Sequence, residues 1–250
     1  MQRPRLRLVL AVCLLVGSLA SAEGPTAVRL TAADGVALRG DLYPLKDDEK
    51  KTAPVVLLFH QAGASRHEYS YIAPRLNDLG FHALAIDQRS GGPRWGENTT
   101  VEKLGDSADY LAALADLEAA WAWVSDSGYS GKKLVWGSSY SAALVFLLAA
   151  NHPEIDGLLS FSPGEYLGSR TDEVRKAAQK VEQPVLVLTP ENERDRAKTV
   201  VSVIPGDKTL FVIPENAVHG SSMLVPDRNP GAEEIWPEVV AFLEQFRPRK

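Results

Sequence analysis

The chain has 250 residues, 45% hydrophobic and 24% charged, with 19 Gly, 16 Pro and a single Cys. This near-average globular composition excludes a disordered, collagen-like or disulfide-stapled protein, and one Cys cannot build a zinc–thiolate site or an internal disulfide. The formal charge of -5, from 27 basic and 32 acidic residues, lacks the basic excess expected of a nucleic-acid binder.

Arg3, Arg5 and Arg7 precede an unbroken apolar run over residues 8–16 and the small residues Ala20-Ser21-Ala22. A basic start, a short apolar core and small residues at positions -3 and -1 make a secretory signal peptide over residues 1–22. The run is shorter than the roughly 20 residues of a membrane span. The expectation is therefore export, periplasmic or extracellular, with no stable membrane insertion after cleavage. Cys13 is followed by Leu14, which does not suit a lipoprotein site. Loss of residues 1–22 removes three arginines and the only Cys, so that 24 basic and 32 acidic residues leave a mature charge of -8.

Along the mature chain, residues 28–30 and 36–43 flank Asp34-Gly35, a hairpin signal. Residues 55–59 (Val-Val-Leu-Leu-Phe) read as a strand covered on both faces. A helix is expected over 65–79, a strand over 81–86, a Gly-rich loop, and a helix over 109–124. A strand at 134–136 runs into an apolar helix at 141–150. Strands at 158–161, 185–188 and 210–213 alternate with helices at 172–181 and 195–203, and an amphipathic helix closes the chain at 235–246. A hairpin followed by alternating strands and helices predicts a mostly parallel central sheet with helices on both faces. No linker, repeat or insertion large enough for a cap domain interrupts it, so residues 23–250 read as one domain.

The chemistry concentrates at Gly137-Ser138-Ser139-Tyr140-Ser141, where a buried strand turns directly into a helix. A serine there, with Gly two residues before it, is the nucleophile-elbow arrangement. Ser139 fits best, because Trp136 would occupy the corresponding position for Ser138. Ser141 stands where the second glycine of G-x-S-x-G is usual. A serine that merely caps the helix is the competing structural reading. Activation needs a base, and His219, after the last strand, follows the order serine, acid, histidine. His67, His82 and His152 read as structural. The acid belongs in the loop after strand 185–188, where Glu191, Glu193 and Asp195 compete. Glu193 has the preferred spacing from Pro190, with Asp195 as the alternative. Two backbone N–H groups must hold an oxyanion, and Tyr140 and Ala62 are placed to supply them. Trp95, Tyr140 and Tyr166 are candidates to line a substrate pocket, with Trp95 and Tyr166 preferred as binding residues.

Taken in order, His60-Gln61-Ala62-Gly63, Asp87-Gln88-Arg89-Ser90-Gly91-Gly92, Gly137 to Ser141, the acidic loop and His219-Gly220 give a chain that resembles the α/β-hydrolase superfamily over essentially its whole mature length. It is most similar to small, capless, dienelactone-hydrolase-like and esterase-like members. The resemblance implies the α/β-hydrolase fold and a serine hydrolase without cofactor or metal. Dienelactone hydrolases commonly use a cysteine where Ser139 stands, so a lactone substrate is not implied. Asp87 and Arg89 match a motif that is usually structural. The leading reading is a Ser139-Glu193-His219 triad acting on a small-molecule ester, with a peptidase or amidase of the same fold as the alternative enzyme. A non-catalytic secreted binder on a hydrolase scaffold is the alternative outside enzymes. A metal hydrolase is disfavoured, since no H-E-x-x-H occurs. Substrate identity and oligomeric state are not legible.

Overall fold

The hairpin forms as expected: β1 (Thr26–Thr31) and β2 (Ala37–Tyr43) pair antiparallel. Gly35 closes the turn at φ 86°, a region glycine enters without a Cβ clash. The computed structural model describes residues 24–46, 48, 51–169, 171–213 and 217–248; the signal-peptide reading falls outside them. Among the described residues no helix is long and apolar enough to cross a membrane.

Six further strands follow: β3 (Val55–Phe59), β4 (His82–Ile86), β5 (Lys133–Ser138), β6 (Gly157–Phe161), β7 (Val185–Pro190) and β8 (Lys208–Ile213). The sheet order is β1-β2-β4-β3-β5-β6-β7-β8. β2 pairs antiparallel with β4, and all pairs from β4 to β8 are parallel. Every residue of β3, β4, β6 and β7 is buried, as expected of strands covered on both sides. Alternation divides them between two cores. Val55, Leu57 and Phe59 face α3 (Leu114–Asp126), α4 (Tyr140–Asn151), α5 (Glu173–Ala178) and α6 (Arg194–Val201). Val56 and Leu58 face α1 (Ile72–Asp78) and, later in the chain, α7 (Ala232–Leu243).

This wiring places the site. β3 is followed by a crossover to β4 on one side, and β5 by a crossover to β6 on the other. The connections leave the adjacent strands β3 and β5 in opposite directions, opening a crevice at their carboxyl ends. His60 to Gly63 leave β3 there, and Ser139 leaves β5.

Three local departures from the expected elements have physical causes. The helix expected over 65–79 is a 3-10 turn, Arg66–Tyr69, followed by α1. Pro74 lacks an N–H and its ring would crowd the Ser70 carbonyl, so an uninterrupted helix cannot form. The loop between β4 and α3 contains α2 (Thr99–Leu104), capped by the Asn98 side chain and ended by Gly105 at φ 84°. The helix expected from residue 109 begins as a 3-10 turn, Tyr110–Ala113. The Asp87 and Arg89 motif is tied into buried ion pairs. Asp87 holds Arg66 at 2.5 Å and Arg66 reaches Asp41 at 2.8 Å, while Arg89 pairs with Asp116 at 2.7 Å and with Asp34 of the hairpin turn. Removing one member of the buried pairs among these, Arg66 with Asp41 or Asp87 and Arg89 with Asp116, typically costs about 3–5 kcal/mol.

Candidate active site

Ser139 sits between the last residue of β5 and the first of α4, at φ 60°, ψ -118°. A non-glycine residue adopts this conformation only when its surroundings enforce it, at a cost of about 1–3 kcal/mol. Here its N–H donates to the Phe161 carbonyl at 2.8 Å, and Gly137 lets α4 approach. A Cβ at Gly137 would lie 2.2 Å from the Ser141 carbonyl oxygen. Ser141, the departure from the second glycine, has work of its own. Its hydroxyl donates to the His60 carbonyl at 2.6 Å and accepts the Gln88 side-chain amide at 2.8 Å. The substitution therefore stitches the elbow to the loop after β3.

That loop is oriented by His60, which is fully buried, and burial pushes its imidazole down to about 4. Nε2 of the neutral ring accepts the Gln88 N–H at 2.9 Å, which leaves Nδ1–H to donate to the Gln61 carbonyl at 2.9 Å. In a trans peptide the carbonyl and the following N–H point in opposite directions. Anchoring the Gln61 carbonyl on His60 thus turns the Ala62 N–H away from the ring. The Tyr140 N–H is at the first turn of α4, where no intrahelical acceptor exists. Among the described residues neither N–H donates a hydrogen bond to another protein group.

At the other edge, His219 Nδ1 and Glu193 Oε1 are 2.7 Å apart. Glu193 ends a 3-10 turn, Glu191–Glu193, directly before α6. Burial by itself raises its pKa, but the His219 hydrogen bond, the Ser162 hydroxyl and the charge of Arg196 outweigh this and hold the carboxyl below its ordinary value. The competing acids face away. The Asp195 side chain is 91% exposed, and Glu191 is an exposed partner of Arg194. Glu193 is therefore the acid that meets the histidine. Sequence reasoning missed Ser162, at φ 58°, whose hydroxyl accepts the Gly220 N–H at 3.0 Å. It lies beside both the acid and the residue after the histidine. Its only signal was its place one residue past the strand at 158–161.

The aromatic candidates divide. Trp95, 38% exposed and at φ 64°, stacks under the Arg228 guanidinium at 3.7 Å, on a loop docked to Gly63 through the Arg94 N–H at 3.0 Å. Tyr166 is half-buried; its hydroxyl donates to the Ser162 carbonyl at 3.0 Å and accepts from Arg196 at 3.1 Å. Tyr140 does not line an open pocket. The residue is 1% exposed, its ring stacks on Tyr110 at 4.6 Å, and its hydroxyl accepts from the Gln88 side-chain amide. That leaves its backbone N–H as the candidate contribution to the site. Two further histidines are tied into the scaffold: His82 is buried between the Leu45 N–H and Asp48, and His152 pairs with Glu118.

An eight-stranded, mostly parallel sheet with a serine on a strained strand-to-helix turn defines an α/β hydrolase. Residues 50–202 match the family model described as serine aminopeptidase, S33, and the chain belongs to that family. A search of curated proteins returns no match. Among solved structures, a dienelactone hydrolase from Anabaena variabilis is 19% identical with a TM-score of 0.70, over 90% of this chain and 100% of that one. An esterase from Pyrococcus furiosus is 20% identical with a TM-score of 0.65, over 90% and 92%. An acylaminoacyl peptidase from Pyrococcus horikoshii is 13% identical with a TM-score of 0.66, over 91% of this chain but 42% of that one. These likenesses establish the shared fold.

Proposed function

We propose that the protein is an exported serine hydrolase that cleaves small carboxylic esters through an acyl-enzyme, with Ser139, His219 and Glu193 as its triad. The observation that carries this reading is the 2.7 Å contact between His219 Nδ1 and Glu193, on segments that follow β8 and β7 as Ser139 follows the parallel strand β5. With Nδ1–H given to the carboxylate, Nε2 is the free base. It takes the proton as Ser139 Oγ attacks the ester carbonyl carbon. The carbonyl oxygen becomes an oxyanion, held by the Ala62 and Tyr140 N–H groups. Collapse breaks the carbon–oxygen bond, and His219 returns the proton to the leaving alkoxide. Water, deprotonated by the same histidine, then attacks the acyl carbon and releases the acid and Ser139. Glu193 keeps the tautomer and stabilises the imidazolium in both halves.

The family name and the peptidase neighbour support a second reading, in which the same machinery cleaves amides. The two are separated by comparing p-nitrophenyl esters of graded chain length with aminoacyl p-nitroanilides, using the purified protein lacking residues 1–22. Ester turnover that disappears in Ser139→Ala supports the first reading. Anilide turnover exceeding ester turnover favours the second, and neither activity in a folded protein would leave a non-catalytic binder. For the export proposal, the N-terminus of secreted material should be Glu23.

A further inference from the structure

Next to the elbow lies a buried polar cluster that the acyl-transfer steps leave unused. Glu68, in the 3-10 turn after β3, is fully buried. Its Oε2 accepts the Gln61 N–H at 2.7 Å. Its Oε1 accepts the Gln61 side-chain amide at 3.1 Å and the Ser138 hydroxyl at 2.8 Å. The Ser138 oxygen in turn accepts the Ser221 N–H at 2.8 Å, which leaves the Ser138 proton for Glu68. Gln61 also donates to the Ser222 hydroxyl at 3.1 Å, and Trp136 Nε1 donates to that of Ser221 at 2.8 Å. All three groups that reach the Glu68 carboxyl are donors, an arrangement suited to an acceptor-only carboxylate.

The segments joined in this way are the ones that carry the candidate chemistry. Gln61 adjoins Ala62, Ser138 adjoins Ser139, and Ser221 and Ser222 follow His219 by two and three residues. Between them, Gly220 packs so tightly that a Cβ would lie 2.5 Å from the Ser138 oxygen. An apolar side chain of the same size would avoid the cost of burying a carboxylate. It would leave the Gln61 N–H and the Ser138 hydroxyl without acceptors, and the three segments without their common tie.

We propose that Glu68 is the positioning residue of the site, holding the oxyanion loop, the nucleophile elbow and the histidine loop in one register through its bonds to Gln61 and Ser138. Glu68 touches neither substrate nor reacting atoms, and the proposal rests on the serine-hydrolase reading above. Loosening it moves the Ala62 N–H and the backbone segments that carry Ser139 and His219, whose proposed roles fall mainly in the transition state. The loss therefore falls on kcat rather than KM.

The test measures kcat and KM for p-nitrophenyl acetate together with near-ultraviolet circular dichroism. Glu68→Gln turns an amide NH2 toward donors; folded, it should lose roughly a hundredfold in kcat, with KM changed by less than about twofold. Combining it with Gln61→Glu returns a carboxylate to the cluster and should recover most of that loss. Should Glu68→Gln not fold, Glu68→Asp keeps the charge but withdraws it by one methylene, and about a tenfold fall in kcat at constant KM is expected. Wild-type kcat in a folded Glu68→Gln or Glu68→Asp overturns the proposal, as does a loss that appears in KM alone. A wild-type protein that hydrolyses no ester and whose Ser139 takes no fluorophosphonate fails the serine-hydrolase reading itself, and this proposal with it. A labelled, active wild type with indifferent Glu68 variants fails this proposal alone.

Discussion

Glu193, after β7, and Glu68, in the 3-10 turn after β3, sit in opposite surroundings. Glu193 is partly open to solvent, meets the imidazole of His219 and lies in the field of Arg196, and its carboxyl is held below the ordinary range. Glu68 is sealed from solvent, and burial drives its carboxyl up against the partial relief of the Gln61 and Ser138 donors and the charge of Arg228. A carboxylate beside a group that becomes cationic contributes by its charge. One surrounded by fixed donors contributes by the geometry it imposes. On the proposed reading, the same side chain thus does two different jobs within one site.

Both jobs presuppose Ser139, so the largest effect belongs there: Ser139→Ala should lower kcat by on the order of 10⁴-fold or more. Ser138→Ala removes one of Glu68's three donors and should lose about tenfold at most. Equal losses in the two would mean that the elbow is centred on the wrong serine. Neutralising Glu193 comes next. Glu193→Gln should lower kcat by about 10²- to 10⁴-fold, the smaller loss applying if water partly screens its charge. Glu191→Gln and Asp195→Asn, whose side chains face solvent, should run near the wild-type rate. A crippled Asp195→Asn beside a healthy Glu193→Gln would transfer the acid's role. Ser162→Ala, which strips the Gly220 N–H of its acceptor and Glu193 of a neighbouring hydroxyl, should cost only about five- to tenfold, the worth of one hydrogen bond near 1 kcal/mol.

Stability against pH sharpens the contrast further. The depressed pKa of Glu193 contributes stability that is present above its unfolded value and lost as pH falls through the folded one. The melting-temperature gap between wild type and Glu193→Gln should therefore widen as pH rises across that interval. The raised pKa of Glu68 has the opposite sign: the native state holds its proton more tightly than the unfolded chain, and stability falls as pH climbs from the unfolded value toward the folded one. The gap between wild type and Glu68→Gln should narrow over that range. Gaps that move in the same direction would contradict the assignment of opposite surroundings.

What was legible in the sequence follows this division. Strand β3 is an unbroken apolar run, and Gly137 with Ser139 marks a junction whose steric demands leave few alternatives. Glu193 and His219 were reachable because chain order and the positions of β7 and β8 confine them to one edge. The Glu68 cluster was not, since its members come from four segments and none has a periodicity or spacing that predicts the meeting. Pro74 was visible as a helix breaker, and Asn98 with Gly105 as a cap pair around α2, yet the surrounding helical and Gly-rich patterns masked them. The ring of Tyr140 could be assigned to the core only once Tyr110 and Gln88 were seen packed against it.

The central claim is that Ser139 is a nucleophile activated by the pair of His219 and Glu193. Labelling with a fluorophosphonate, followed by intact-mass analysis and peptide mapping, tests it most directly. One adduct per chain is expected, on Ser139, abolished in Ser139→Ala and strongly slowed in His219→Ala and Glu193→Gln. An adduct on Ser138, or labelling of Ser139 at an unchanged rate in those two variants, would contradict it.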